Sequence, residues 1–209
     1  MEPMTPVEQT AQRRPTSLSD FLRLHMKGLL EAIGGFLNRL GLAPMSLTLF
    51  GLAGHVVAAV VLAEGNMLAG GLLLLVMAPV DALDGTMARL RGQPSSFGAF
   101  VDSVTDRYSE MLMFCGLLIH FLRLGDAPTS VLVFLAAAGS LLVSYTRARG
   151  EALGYEVRSG MLTRFERYAV LIPTLVLGIP RLGIALVAVL ANVTAVQRFL
   201  HVRRQASER

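Results

Sequence analysis

The chain has 209 residues, 53% hydrophobic and 16% charged, with a net charge of +4 and a mean hydropathy of +0.56. An ordinary soluble domain carries about 25% charged residues, so this much apolar mass excludes a disordered chain, collagen and a nucleic-acid-binding tail protein; the single Cys115 excludes a disulfide scaffold. The basic residues flank hydrophobic runs instead of forming a soluble surface, which is the pattern of an integral membrane protein with no nucleic-acid partner.

Residues 1–17 are polar, lack an apolar core and do not read as a signal peptide. Residues 18–40 follow as a predicted amphipathic juxtamembrane helix. Phe21, Leu22, Leu24, Leu29, Leu30, Ile33 and Leu37 recur at helical spacing, interleaved with Arg23, Lys27, Glu31 and Arg39. Four charges are costly in a span, so this segment is expected to lie on the membrane surface.

Residues 41–200 read as an all-α membrane domain of six transmembrane helices, near 45–64, 67–90, 97–123, 128–150, 166–179 and 182–200. A span needs about 20 residues, so the fifth is short, and Pro173, Gly178 and Pro180 mark it as broken or tilted. The links Glu64-Gly65-Asn66, Gly125-Asp126-Ala127 and Pro180-Arg181 leave no room for a soluble domain. Residues 201–209 are a polar C-terminal tail. With both termini on one side, only Arg123 and Arg181 fall on the far side, and the other 17 basic residues lie at or near the terminal side. The positive-inside rule makes that side cytoplasmic, giving a multi-pass protein of the cell (inner) membrane with its termini and its acids at the cytoplasmic face.

The most informative stretch is 81-DALDGTMARLRGQPSSFGAFVDSVTDRYSE-110. Fourteen apolar or small residues, Met67 to Val80, precede Asp81. At 1.5 Å per residue they make roughly 21 Å of helix, which places Asp81 and Asp84 inside the span, in its cytoplasmic third. Asp81, Asp84, Gly85 and Ala88 share one helical stripe; Gly98, Asp102, Asp106 and Glu110 share another. Two antiparallel helices joined by the turn at Arg91–Ser96 are expected to face these stripes toward each other, with small residues where a ligand or backbone comes close. An ionised Asp in the membrane costs about 2.5–3.5 kcal/mol on insertion scales, and Arg89 and Arg107 supply only two positive charges nearby. Bound divalent cations resolve the imbalance. An all-carboxylate donor set favours Mg²⁺, Mn²⁺ or Ca²⁺ over Zn²⁺, and four such acids suit a pair of ions about 4 Å apart.

The string D-x2-D-G-x2-A-R-x8-G-x3-D-x3-D, from Asp81 to Asp106, resembles the signature of the CDP-alcohol phosphotransferases at every fixed position. The six-span layout resembles that family too. The resemblance implies displacement of CMP from a CDP-linked lipid by an alcohol hydroxyl. It implies two ions (Mg²⁺ or Mn²⁺) held by Asp81, Asp84, Asp102 and Asp106 across the diphosphate of CDP-diacylglycerol, with Asp106 as the base. Gly85, Ala88, Arg89 and Gly98 fall in the nucleotide- and diphosphate-binding part of the motif, Gly85 and Ala88 letting the nucleotide lie against the helix and Arg89 pairing a phosphate or an Asp. Upstream, 44-PMSLTLFG-51 resembles the family's opening of the first span, which implies that Thr48 touches the nucleotide; Met45 departs from the usual Asn or Asp.

Arg147, Arg149, Arg158, Arg164 and Arg167 cluster where the fourth and fifth spans meet, and Arg198 lies near the cytoplasmic end of the last span. Arginine binds phosphate through its paired donors, so an acceptor carrying its own phosphate is expected; contact with anionic membrane lipids explains some of these residues equally. The strings S-Y-x-x-A-R-x-E at Ser144, Glu166-Arg167, V-Q-R at Val196 and D-R-x-x-E at Asp106 resemble the branch of the family that makes phosphatidylinositol phosphate. That implies inositol 1-phosphate as acceptor, bound by Ser144, Arg147, Arg149, Arg167 and Arg198. Glycerol 3-phosphate remains the alternative, and an ion or proton-coupled transporter is the alternative of another class. Pro79 either kinks its helix or is simply tolerated. His55 and His120 read as packing or interface residues far from the acids, and Cys115 as core. Gly51, Gly54, Gly70 and Gly71 pack helices within the chain or in the homodimer that the family resemblance implies.

Overall fold

The computed structural model describes residues 18–92, 95–157 and 162–208, with side chains from residue 28 onward. Seven helices make up the described residues: α1 (Leu18–Arg39), α2 (Pro44–Ala63), α3 (Met67–Leu90), α4 (Ser96–Arg123), α5 (Ala127–Ala152), α6 (Arg164–Val176) and α7 (Pro180–Ser207). The expected residues 1–17 and Arg158 lie outside what is described.

Local chemistry sets the breaks. Pro44 and Pro180 open α2 and α7, where a missing N–H costs nothing. Asn66, Ser95 and Asp126 cap α3, α4 and α5 by accepting from Ala69, Gly98 and Thr129 N–H. Gly125 and Gly178 reverse the chain at φ +68° and +70°, which only glycine adopts without strain. Pro79 does not break α3, which continues to Leu90, and α6 likewise runs through Pro173.

Four helices, α2, α3, α5 and α7, are long and apolar enough to cross a membrane. The six expected spans all form helices, yet two differ in kind. α4 has the length, at 28 residues, but carries Asp102, Asp106, Arg107 and Glu110. α6 has 13 residues, about 20 Å at 1.5 Å per residue, against a hydrocarbon core of about 30 Å. α7 also departs from expectation: it continues to Ser207, so most of the polar 201–209 stretch is helix. There the Gln205 side chain accepts from Glu156 N–H and donates to its carbonyl, at 3.1 and 2.7 Å.

α2 packs on both α3 and α4, α5 on α4 and α7, and α6 fills the space between α3 and α7. Leu62, Leu74, Phe114, Leu117, Leu171, Leu175 and Ile184 form the shared core. Val60, Val76, Phe134 and Val189 point outward and are more than half exposed, as a lipid-facing surface requires. The glycines bring backbones together. A Cβ on Gly116 would strike the Ala59 carbonyl, and one on Gly54, Gly70 or Gly71 would meet Met77, Leu62 or Leu175. Gly51, Gly54, Gly70 and Gly71 therefore all serve contacts within one chain. Cys115 is exposed, not core; it lies on the outward stripe of α4 with Tyr108, Ile119 and Leu122, where a weakly polar thiol meets no penalty.

α1 lies along the end of α3. Gly34 abuts Thr86, Met87 and Leu90, Asn38 donates to the Met87 carbonyl at 3.1 Å, and Arg91 donates to Asn38 Oδ1 at 2.7 Å. Leu29, Ile33 and Phe36 form an exposed apolar stripe on this helix, continued by Leu40 just past its end.

At the opposite end, Asp126 ties two turns together: its carboxylate accepts from Thr129 Oγ1 at 2.8 Å and from Arg181 Nε at 2.9 Å. The Thr129 hydroxyl and N–H, then Arg181, hold its pKa below the ordinary 3.8. A depressed folded pKa stabilises above the unfolded value and is lost as pH falls through the folded one. Asp126→Asn should therefore lower the thermal midpoint in detergent at neutral pH, and the gap to the parent protein should close in a pH series taken below about pH 4.

Candidate active site

The acids converge, though not by direct packing of their helices. α3 and α4 touch little; α2 lies against both. Gly51 on α2 leaves the space that Asp81 fills: a Cβ there would sit 2.6 Å from Asp81 Oδ1. One turn earlier, Thr48 donates to Asp84 Oδ2 at 2.6 Å, and Gly85 N–H donates to Asp84 Oδ1 at 2.5 Å. Asp84 is buried, while Asp81, Asp102 and Asp106 are partly exposed. Asp102 lies within electrostatic reach of Asp106, Asp84 and Asp81.

What joins the two acidic stripes is Arg164, the first residue of α6. Its Nη2 donates to Asp81 Oδ2 at 2.6 Å, and its Nη1 donates to Asp106 Oδ1. The guanidinium also lies over the Tyr168 ring, 5.2 Å from the centroid, while its Nε is buried without an acceptor among the described residues. Arg107 approaches Asp106 Oδ2 at 3.4 Å.

Among the described residues no three His, Cys, Asp or Glu side chains are drawn together tightly enough to enclose one ion. The donor set is nevertheless one of hard carboxylate oxygens, and a cationic group already stands between two of them. The site thus selects positive charge, and its chemistry fits Mg²⁺ or Mn²⁺.

Beside the acids opens a cleft of about 250 Å³ lined by Arg107, Ser144, Arg147, Arg164, Arg167 and Arg198, among others. Of the five residues expected to hold an acceptor phosphate, four line it. Arg149 does not: it is exposed and faces elsewhere, because positions two apart on a helix point in nearly opposite directions. Arg147 is exposed and pairs with Glu151 at 2.9 Å. Arg198 is buried and donates to the Val143 carbonyl at 2.5 Å, and Ser144 Oγ donates to the Ser140 carbonyl at 3.2 Å.

Arg167 differs from expectation most. It is 1% exposed, and its Nε and Nη2 grip both oxygens of Glu110, itself 0% exposed, at 2.6 and 2.8 Å. Glu110, on the same stripe as Asp102 and Asp106, is thereby drawn out of the acidic group. Arg89 donates to Thr86 Oγ1 at 2.9 Å. Gly98 donates to the capping Ser95, and Ala88 is partly buried.

His55 was expected far from the acids, but the structure places it among them. It is 0% exposed; Nδ1 donates to the Gly51 carbonyl at 2.8 Å, and Nε2 faces the Tyr168 hydroxyl at 3.3 Å and Asp81 Oδ2 at 4.0 Å. Thr48, Gly51 and His55 lie at i, i+3 and i+7, one stripe of α2 that the sequence displays. His120 does lie apart, at the far end of α4 beside Gly65.

Residues 42–199 match the family of CDP-alcohol phosphatidyltransferases. The chain belongs to that family. It is therefore an enzyme, a CDP-alcohol phosphatidyltransferase, and the transporter alternative falls. The archaetidylinositol phosphate synthase of Pyrococcus horikoshii is 34% identical over 88% of this chain and 96% of its own. The phosphatidylinositol phosphate synthase of Streptomyces avermitilis is 33% identical over 91% and 84%. The crystal structure of the Mycobacterium tuberculosis phosphatidylinositol phosphate synthase with CDP-DAG bound superposes with a TM-score of 0.78, at 31% identity, over 83% of this chain and 92% of that one. The same enzyme has also been solved in complex with manganese and citrate.

A buried ion pair that loses one partner leaves an uncompensated charge, whereas replacing both partners restores an apolar fit. Glu110→Ala should destabilise the protein by about 3–5 kcal/mol, and Glu110→Ala combined with Arg167→Met should recover most of that loss, both read by chemical unfolding in detergent.

Proposed function

We propose that this enzyme transfers the phosphatidyl group of CDP-diacylglycerol to a hydroxyl of inositol 1-phosphate, giving phosphatidylinositol phosphate and CMP. One observation carries the acceptor reading: an arginine-lined cleft opens directly beside the motif acids, with Arg164 common to both. The names of the relatives support inositol phosphate over glycerol 3-phosphate.

Asp81, Asp84, Asp102 and Asp106 would hold the divalent ions. When bound, these ions supply charge neutralisation to the diphosphate and the departing CMP. Thr48 and Gly85 N–H fix the Asp84 carboxylate. Arg147, Arg198 and Ser144 receive the acceptor's phosphate and orient its ring. An acceptor hydroxyl oxygen then bonds to the lipid-bearing phosphorus. The bond from that phosphorus to the CMP phosphate breaks, CMP leaves with the electron pair, and the hydroxyl proton passes to Asp106. Gly85, Ala88 and Gly98 let the nucleotide approach the helices, and Arg89 lies at the cytoplasmic rim.

In this reading residues 41–200 form a six-span membrane domain. α4 crosses with its acids turned inward, and α6 is a short helix that begins at the depth of those acids. α1 lies along the cytoplasmic face on its exposed apolar stripe, with both termini and the active site on that side.

Two variants and an acceptor screen test the proposal. Asp106→Asn should abolish CMP release while CDP-diacylglycerol still binds; substantial turnover would remove Asp106 as the base. Arg147→Ala should raise the acceptor KM about tenfold or more, with a smaller effect on the KM for CDP-diacylglycerol. CMP release with glycerol 3-phosphate but not inositol 1-phosphate would transfer the reading to phosphatidylglycerophosphate synthesis, and full turnover in EDTA would remove the ions.

A further inference from the structure

Arg164 occupies two sites at once. Its paired donors hold Asp81 of α3 and Asp106 of α4, and the same side chain lines the arginine cleft. A divalent ion on those oxygens would meet the guanidinium as a like charge at contact distance, so ion and guanidinium exclude each other there. The neighbouring space into which Arg164 can turn is the cleft it already lines, where Arg107, Arg147, Arg167 and Arg198 also stand. Arg167 is neutralised by Glu110, and Arg147 by Glu151. A further guanidinium entering this cleft raises its demand for an anion. Conversely, an anion in the cleft draws Arg164 off the acids and leaves them in need of a cation. The present pose is not a fully satisfied one: Arg164 Nε is buried without an acceptor among the described residues. The Tyr168 ring beneath the guanidinium, anchored by its hydroxyl to the buried His55, supplies a flat surface along which the group can move.

We infer that Arg164 is a shuttling counter-ion that couples the acid site to the acceptor cleft: it holds Asp81 and Asp106 together before metal binds, then moves to the acceptor's phosphate when metal takes its place. This rests on the proposed two-site reading and adds to it an order of events. It also keeps Asp106 engaged, and so unavailable as a base, until both partners are present. Coupling of this kind is reciprocal: metal must tighten phosphate binding by the same factor as phosphate tightens metal binding.

The test uses the full chain in detergent, with Mn²⁺ followed by the EPR signal of the free ion and inositol 1-phosphate by calorimetry. In the parent protein, saturating Mn²⁺ should tighten inositol 1-phosphate binding on the order of tenfold, and the converse titration should return the same factor. Arg164→Ala should bind Mn²⁺ more tightly than the parent and bring the coupling to within about twofold of none. Arg164→Lys retains the charge but cannot span both acids, so it should fold, bind Mn²⁺ more tightly than the parent and show reduced coupling. A role as a fixed background charge would change the Mn²⁺ affinity of the Ala variant but leave the coupling intact in both variants. That result would overturn the inference, as would unchanged Mn²⁺ affinity, or no inositol 1-phosphate binding in either metal state. The two readings fail separately. Lost coupling in the variants without CMP release by the parent would sink the proposed reaction alone, whereas CMP release with undiminished coupling in the variants would sink the shuttle alone.

Discussion

Four carboxylates gathered inside an apolar bundle are the constraint around which this protein is built. Each would cost a few kcal/mol to ionise in a membrane, and together they repel. Every helix that touches them contributes something positive or something small. α2 gives the Thr48 hydroxyl and the missing side chain of Gly51; α3 gives the Gly85 N–H; α6 gives Arg164. The stripes of α3 and α4 meet through a guanidinium and not through packed side chains, so the geometry of the site depends on which cation is present. A rigid interlocked pair of helices could not change cations without distortion, whereas a bundle bridged by a mobile side chain can.

The arginines near the site divide by partner. Arg167 is consumed by Glu110 in a fully buried, two-point pair that fastens α6 to α4. Such a pair is weak evidence for stability, since desolvation offsets much of its attraction, but it fixes the register of α6. That register carries Arg164, three residues earlier, to the acids and Tyr168, one residue later, against His55. Arg147 and Arg198, from α5 and α7, bound the far wall of the cleft. Arg91, Arg123 and Arg181 serve the turns at the two ends of the bundle.

Much of this was legible in the sequence because the signals are local. Apolar runs interrupted by Pro, Gly and short polar links place the starts of six helices within a few residues of where they form, and the motif acids reveal themselves as charges at membrane depth. The rotational phase of one helix relative to another is not local, and there the reading failed. Arg149 looked equivalent to Arg147 because both end a span, yet two residues of helix turn it away from the cleft. Arg167 was matched to the acceptor's phosphate and Arg164 was not, yet the placement of Glu110 consumes Arg167 and leaves Arg164 to the acids. His55 was within reach: it continues the stripe of Thr48 and Gly51, and an imidazole on a face that supplies polar contacts differs from one on a lipid-facing side.

The shortness of α6 then follows from its task. A helix spanning the whole bilayer would begin at the interface, and its first-turn side chains would extend into water and headgroups. With 13 residues, α6 begins at the depth of Asp81 and Asp106, so its opening turn delivers Arg164 and Arg167 directly into the protein interior. The capping Glu166, which accepts from Thr163 N–H at 2.5 Å, supplies within the helix the acceptor that a buried N-terminus would otherwise lack. Thr163 and Arg164, where the helix opens, line the arginine cleft, so this end of α6 borders a polar cavity. The short helix, the cleft and the bridging guanidinium are thus one solution to bringing positive charge to acids that lie below the surface.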